Sequence, residues 1–266
     1  MTEVNPPVCY VLTICWNEAN FLPYFLDYYS FAKKIIVFDN MSSDNSVKIM
    51  KEYKNVEISH YNTNEKIRDD IYLEIKNHAW KQFRNECDWF IIVDIDEIVH
   101  HPDGILNYLN TVPEHIGVIQ SKGFEMFSPN FNQASGKTLF EKSIVGMPGS
   151  KLNKCNIIRS KMVYDINYMP GCHEAYPKMN FGILHSDPNV KLLHYKFIMP
   201  LEYMVARYKT MASRLSIENK KGGYGFHYSN MNSLHKKYID ISNGHKPVIS
   251  PPLPPSQPLQ PLPESQ

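Results

Sequence analysis

The chain has 266 residues, of which 43% are apolar and 21% charged, a composition that can bury a core and argues against wholesale disorder or a fibrous repeat. A typical domain holds roughly 100–200 residues, so the length allows one large domain or a domain with an appendage. The 28 Lys and Arg nearly balance 27 Asp and Glu, a net charge of +1, which argues against nucleic acid as a partner because no global positive field gathers phosphate backbones.

The first apolar run, Val8 to Trp16, is too short to span a bilayer and runs straight into Asn17-Glu18, so it reads as a buried strand. A helix over Asn20 to Phe31 follows, with Leu22, Phe25, Leu26 and Tyr29 at helical spacing. K-I-I-V-F-D (34–39) is a second strand, Asp44 to Tyr53 a second helix, and V-E-I-S-H (56–60) a third strand. Ile67 to Glu86 reads as one long helix, and W-F-I-I-V-D (89–94) as a strand apolar on both faces, the mark of a central parallel strand. Strands alternating with helices predict an α/β fold, a mostly parallel sheet with helices on both faces.

Beyond Asp103, G-I-L-N-Y-L-N is helical and G-V-I-Q-S-K-G-F-E-M-F is a strand. Residues 130–188 read as a loop-rich acceptor region holding short strands near Cys155 to Arg159 and Met162 to Ile166. V-K-L-L-H-Y-K-F (190–197) is a last strand and Pro200 to Asn219 a helix with Pro in its first turn. From Pro247 the text is a polyproline tract, expected to be a disordered tail after a domain of residues 1–246. Five cysteines without a C-x-x-C pair argue against disulfides and a four-cysteine zinc site. They point to the cytoplasm, with membrane contact at most peripheral because no segment reaches the ~18 apolar residues of a spanning helix.

The chemistry gathers at strand ends. D-I-D-E, Asp94 to Glu97, follows the apolar strand directly. Alternate residues of a strand point the same way, so Asp94 and Asp96 either share one hard cation or divide the work, one holding the metal and the other a sugar hydroxyl. Like charges so close call for a cation or a proton. Asp39 and Asn40 end the second strand, where Asp39 suits a nucleobase N–H or a ribose hydroxyl, and Asn17 and Glu18 end the first. In open α/β sheets, ligands bind at this carboxyl edge. His194 reads either as completing a cation's shell or as a satisfied core histidine, and Arg207 and Arg214 as phosphate contacts or solvated charges.

The runs C-W-N-E-A-N-F-L-P-Y-F-L-D-Y-Y, I-I-V-F-D-N-M-S-S-D-N-S, K-N-H-A-W-K and D-W-F-I-I-V-D-I-D-E together resemble the glycosyltransferase family 2-like group with the GT-A fold. The resemblance covers Val8 to Val99 and, more loosely, Lys154 to Tyr208. It implies a single GT-A-like domain that transfers a sugar from a nucleotide-diphosphate donor, with Mn2+ or Mg2+ as cofactor and a glycan or lipid-linked acceptor. It further implies that Asn17, Glu18 and Asp39 line the nucleotide pocket, that Asp94 and Asp96 form the D-x-D pair on metal and donor, and that Asp70 or Asn77 touches the donor from the helix before that pair. The second half lacks the family's acceptor-side acidic signature at a fixed position. Inverting transfer needs a base, for which Glu174 in G-C-H-E-A is the first candidate, Glu125 in K-G-F-E-M-F the second and Glu97 a third. A sugar-phosphate nucleotidyltransferase would want a Gly-rich basic loop after the first strand, which C-W-N-E-A-N is not. A non-catalytic binding protein with the same fold is the remaining alternative.

Overall fold

The computed structural model describes residues 6–128, 138–139 and 143–250. Strands β1 (Cys9–Cys15), β2 (Lys34–Asp39), β3 (Val56–His60) and β4 (Trp89–Ile92) lie parallel in the order β3-β2-β1-β4. β1 and β4 are buried on both faces, as their unbroken apolar text requires. Helices α1 (Leu22–Tyr28), α2 (Ser46–Met50) and α3 (Asp69–His78) make the crossovers. Apolar residues from β1 and β4 feed two core clusters, one built on Phe25, Leu26 and Tyr29, the other on Trp80, Phe90 and Tyr168. The α/β class expected from the sequence holds.

Beyond β4 the sheet becomes mixed. β5 (Glu97–His100) and α4 (Ile105–Thr111) precede the long β6 (Ile116–Phe127), which is followed by β7 (Val145–Pro148) and β8 (Lys154–Arg159). β8 inserts antiparallel between β4 and β6. A small hairpin, β9 (Val163–Asp165) with β10 (Lys178–Met179), leads to β11 (Ile183–Phe197), which runs parallel to β6 and antiparallel to β5. The last elements are α5 (Leu201–Arg214), α6 (Ile217–Gly222), α7 (Met231–Gly244) and β12 (Lys246–Pro247). Because β8 is antiparallel, its first residue arrives at the same edge as the last residues of β1, β2, β4 and β6.

Two expected helices are broken, each for a local reason. The α-helix predicted over residues 67–86 stops at His78 and continues as a 3-10 turn over Ala79–Phe83, where the buried Trp80 indole donates to the Asn77 carbonyl. The helix predicted to Asn219 breaks at Leu215 so that Ile67 N–H can donate to the Arg214 carbonyl and Ser216 N–H to the Ile67 carbonyl. Ser216 then caps α6, its hydroxyl accepting from Asn219 N–H.

The expected start of the tail at Pro247 is also too early. Lys246 and Pro247 pair with β7, Val248 N–H donates to the Ile144 carbonyl, and Val248 and Ile249 are buried. Residues 251–266, the rest of that expected tail, lie outside the described residues. Because a polyproline tract has little core-forming capacity, truncation after Ser250 should leave stability unchanged. Truncation after His245 should lose roughly 3 kcal/mol, since burying one aliphatic side chain contributes about 1.5–3 kcal/mol. Urea unfolding of the two truncations checks this; equal stabilities would show that residues 246–249 do not hold the domain.

Candidate active site

The parallel ladder carries Cys15, Asp39 and Ile92 to one edge, and the turns that follow are braced by side chains. Asn17, at φ 53°, accepts from the N–H groups of Ser43 and Asp44 through Oδ1 and donates its own N–H to the Ser42 hydroxyl. Asn17 thus clamps the β1 turn onto the β2 turn, and its carboxamide is already engaged. Asn40 binds Thr63 through both ends of its amide. Asp39 is fully buried; Oδ2 accepts from Ser42 N–H at 3.1 Å and lies 3.2 Å from His60 Nδ1, whereas Oδ1 has no hydrogen-bond partner among the described residues.

The D-I-D-E turn is fixed from within. Glu97 accepts Asp94 N–H on Oε2 and the Lys154 ammonium on Oε1 at 2.5 Å. Lys154 opens β8, and the register that sets Ile91 opposite Ile157 brings it beside Asp94. Asp94 holds Lys76 of α3 on Oδ1 at 2.5 Å and Lys154 on Oδ2 at 3.1 Å. Both lysines are buried, their side chains 8% and 4% exposed, while the Asp94 side chain is 40% exposed. Burial opposes ionisation of Asp94, yet the two ammoniums hold its carboxyl far below the usual range. The charges that the sequence left unresolved are answered here by lysines.

Asp96 is answered by His194. Tyr195 N–H donates to the Asp96 carbonyl at 2.7 Å, tying β11 to the turn. His194 Nε2 then lies 3.3 Å from Asp96 Oδ2 and Nδ1 lies 3.0 Å from Glu125 Oε1. Burial alone would lower the imidazole, but the two carboxylates raise it to about 10; against their own burial, Asp96 and Glu125 are both held at about 2, chiefly by His194. Glu125 also receives Lys237 at 3.1 Å.

Among the described residues, no three His, Cys, Asp or Glu side chains are grouped to hold a metal. The expected set of Asp94, Asp96 and His194 is therefore tested on its chemistry. Asp96 and His194 are close enough to share an ion, since adjacent ligands at ~2.1 Å from one ion lie roughly 3 Å apart, and Glu125 on the far nitrogen is a recurring support; ligation would release the Nε2 proton and replace the Nε2–Asp96 contact. Asp94 does not fit, because both of its oxygens hold ammoniums. A dication there, roughly 5 Å from each, would be repelled by about 7 kcal/mol per lysine at an effective dielectric of 20.

Other expected residues are placed differently from the sequence reading. Glu18 is largely buried and paired with Arg207, which is thereby engaged away from phosphate. Arg214 lies 3.0 Å from the centre of the Trp16 ring and donates to the Glu65 carbonyl. Asp70 is exposed and takes a bidentate contact from Arg68, outside the site. Asn77 binds both the N–H and the carbonyl of Tyr168, clamping the 167–176 loop to α3. Glu174 is exposed on that loop, where the Tyr176 hydroxyl reaches it at 3.4 Å. Glu125 is buried, with Oε1 facing His194 and Lys237. Lys76 and Lys154 were not read from the sequence as site residues; the signal available was a lysine opening a strand candidate.

No family model matches the chain, and no curated protein matches it. Among solved structures, the chain is similar to GalNAc-T7 crystallised with UDP, GalNAc and Mn2+, at 11% identity and a TM-score of 0.42 over 78% of this chain and 48% of that one. It is also similar to HddC from Yersinia pseudotuberculosis, at 11% identity and a TM-score of 0.34 over 78% of this chain and 99% of that one. No helix among the described residues is long and apolar enough to cross a membrane.

The Asp96–His194–Glu125 chain sets a pH signature. The folded His194 value lies above the ordinary 6.5, so its stabilisation is complete below about pH 6.5 and is lost as pH rises towards 10. Asp96 and Glu125 lie below their ordinary 3.8 and 4.5, so their contribution is complete above those values and is lost as pH falls towards 2. Glu125→Gln should flatten both limbs in urea unfolding across pH 3–10; a profile identical to wild type would show that the chain is not formed.

Proposed function

We propose that the protein is a glycosyltransferase that moves a sugar from a nucleotide-diphosphate donor to a hydroxyl of a glycan or lipid-linked acceptor. The observation that carries this reading is the division of labour along one sheet edge: a buried carboxylate with an unmet oxygen, a half-buried carboxylate fixed by two lysines, and a carboxylate–histidine pair. Asp39 Oδ1 would be satisfied by an N–H or hydroxyl of the nucleoside. Asp94, held in place and ionised, accepts hydroxyls of the ribose or the sugar. Of the two uses of the D-x-D pair open from the sequence, this geometry favours one carboxylate for hydroxyls and the other for metal.

Asp96 and His194 are the residues that would hold Mn2+ or Mg2+, which when bound neutralises charge on the diphosphate. Glu125 orients His194. In the inverting reaction the acceptor oxygen bonds the sugar's anomeric carbon while the bond to the diphosphate breaks and its electron pair leaves with the phosphate oxygen. The acceptor's proton goes to Glu174, the exposed carboxylate on the loop clamped by Asn77. The nucleotidyltransferase alternative is less well served, because the β1 turn is closed by the Asn17 side chain and carries neither Gly nor Lys for a triphosphate.

A thermal-shift screen of nucleoside diphosphates and nucleotide sugars with Mn2+ tests the reading. One of them at ~100 times its dissociation constant should stabilise the wild type by about 2.7 kcal/mol, and Asp39→Asn should weaken that ligand. Glu174→Gln should lower transfer by on the order of 10²–10⁴ with donor affinity nearly unchanged. Stabilisation by a nucleoside triphosphate with a sugar 1-phosphate, and by no nucleotide sugar, would move the assignment to nucleotidyl transfer.

A further inference from the structure

The cations turned towards the strand-end carboxylates are almost all taken. Lys76 and Lys154 serve Asp94 and Glu97, Arg207 serves Glu18, and Lys237 serves Glu125. Lys196 is different. It lies two residues beyond His194 on β11, where Tyr195 and Phe197 point into the core, so it shares the face of His194. No carboxylate among the described residues lies within ion-pair distance of it.

What surrounds Lys196 is aromatic. Its ammonium lies 4.9 Å from the centre of the Tyr208 ring and 5.8 Å from that of Tyr228. Ring faces attract a cation without neutralising it, and the carboxylate that feels Lys196, Glu125, already holds His194 and Lys237 directly, so the ammonium is held at a fixed place with no carboxylate of its own among the described residues. The neighbouring His227 adds no counter-charge, since burial and the nearby Lys196 and Lys237 push it down to about 4. A half-buried ammonium held by ring faces and not directly paired, on the same strand face as His194 of the proposed donor site, can take an anion through a charge-assisted hydrogen bond.

We propose that Lys196 is a catalytic residue that takes the terminal phosphate of the departing nucleoside diphosphate; the assignment rests on the donor reading above. As the bond between the anomeric carbon and the diphosphate breaks, the electron pair stays on the terminal phosphate oxygen. Lys196 donates a charge-assisted hydrogen bond to that phosphate and gives up no proton in the step, while the acceptor oxygen closes on the anomeric carbon and its proton goes to the base.

Calorimetric titration with UDP, GDP, UMP and GMP in Mn2+ tests the assignment on wild type, Lys196→Met and Lys196→Arg, with thermal unfolding confirming that each variant is folded. In Lys196→Met the affinity for the diphosphate that the wild type binds should fall about 10- to 100-fold, the range of a hydrogen bond to a charged group. The matching monophosphate should be unaffected, and Lys196→Arg should restore most of the diphosphate affinity. Unchanged diphosphate affinity in Lys196→Met would overturn the assignment alone, including the case where only the acceptor KM rises and the anion belongs to the acceptor. A wild type that binds neither diphosphate would overturn the donor reading and this assignment together.

Discussion

The buried contact between Lys154 and the carboxylates of Glu97 and Asp94 is the constraint on which the site depends. An ammonium and a carboxylate taken out of water are tolerable only when paired and hydrogen-bonded, and removing one partner of such a pair costs roughly 3–5 kcal/mol. The demand is met by topology. Only an antiparallel strand beside β4 delivers its first residue to the edge where β4 ends, and β8 is that strand. With Lys154 in place, Glu97 can hold the Asp94 N–H and close the turn, and that turn in turn presents the Asp96 carbonyl to β11. The mixed half of the sheet is therefore what makes the parallel half's carboxylates usable.

The same logic separates three carboxylates that look alike in the sequence. Asp39 is buried with one oxygen unmet, Asp94 is half-buried with one ammonium on each oxygen, and Asp96 shares a histidine with Glu125. A carboxylate oxygen offers about two acceptor sites, so each Asp94 oxygen that holds an ammonium still has one for a hydroxyl, whereas the two ammonium charges repel a dication. The proposed roles follow from which oxygens remain. Lys196 is the mirror case among the cations, held by rings and, among the described residues, in no direct ion pair.

Much of this was legible in the sequence, and the boundary is physical. β1, β2 and β4 are apolar on both faces and end in polar clusters, so both the parallel sheet and the edge where its carboxylates gather could be read directly. The break after Arg214 was not, because it serves a backbone contact with Ile67 some 150 residues away, although Ser216 with Asn219 three positions on was a usable cap signal. Asn17 and Asp70 were read towards the donor because a polar residue at a strand end or helix start does not reveal its partner; one proved to be a turn clamp and the other an exposed partner of Arg68. Lys154 was hidden for the opposite reason: a lysine reads as a surface residue until the fold brings it to carboxylates about 60 positions earlier. The 247 boundary failed because the Pro-rich text begins at Pro247, two residues before the last buried residue, Ile249.

The account stands or falls on the claim that Asp94 and Asp96 do different work. Mn2+ affinity, measured by electron paramagnetic resonance on Asp94→Asn and Asp96→Asn in the presence of the nucleoside diphosphate that the wild type binds, addresses it directly. The account predicts that Asp96→Asn loses tight Mn2+ binding whereas Asp94→Asn keeps it within a few-fold. Equal loss in both variants would contradict it, because Asp94 would then be a metal ligand despite the two lysines it holds.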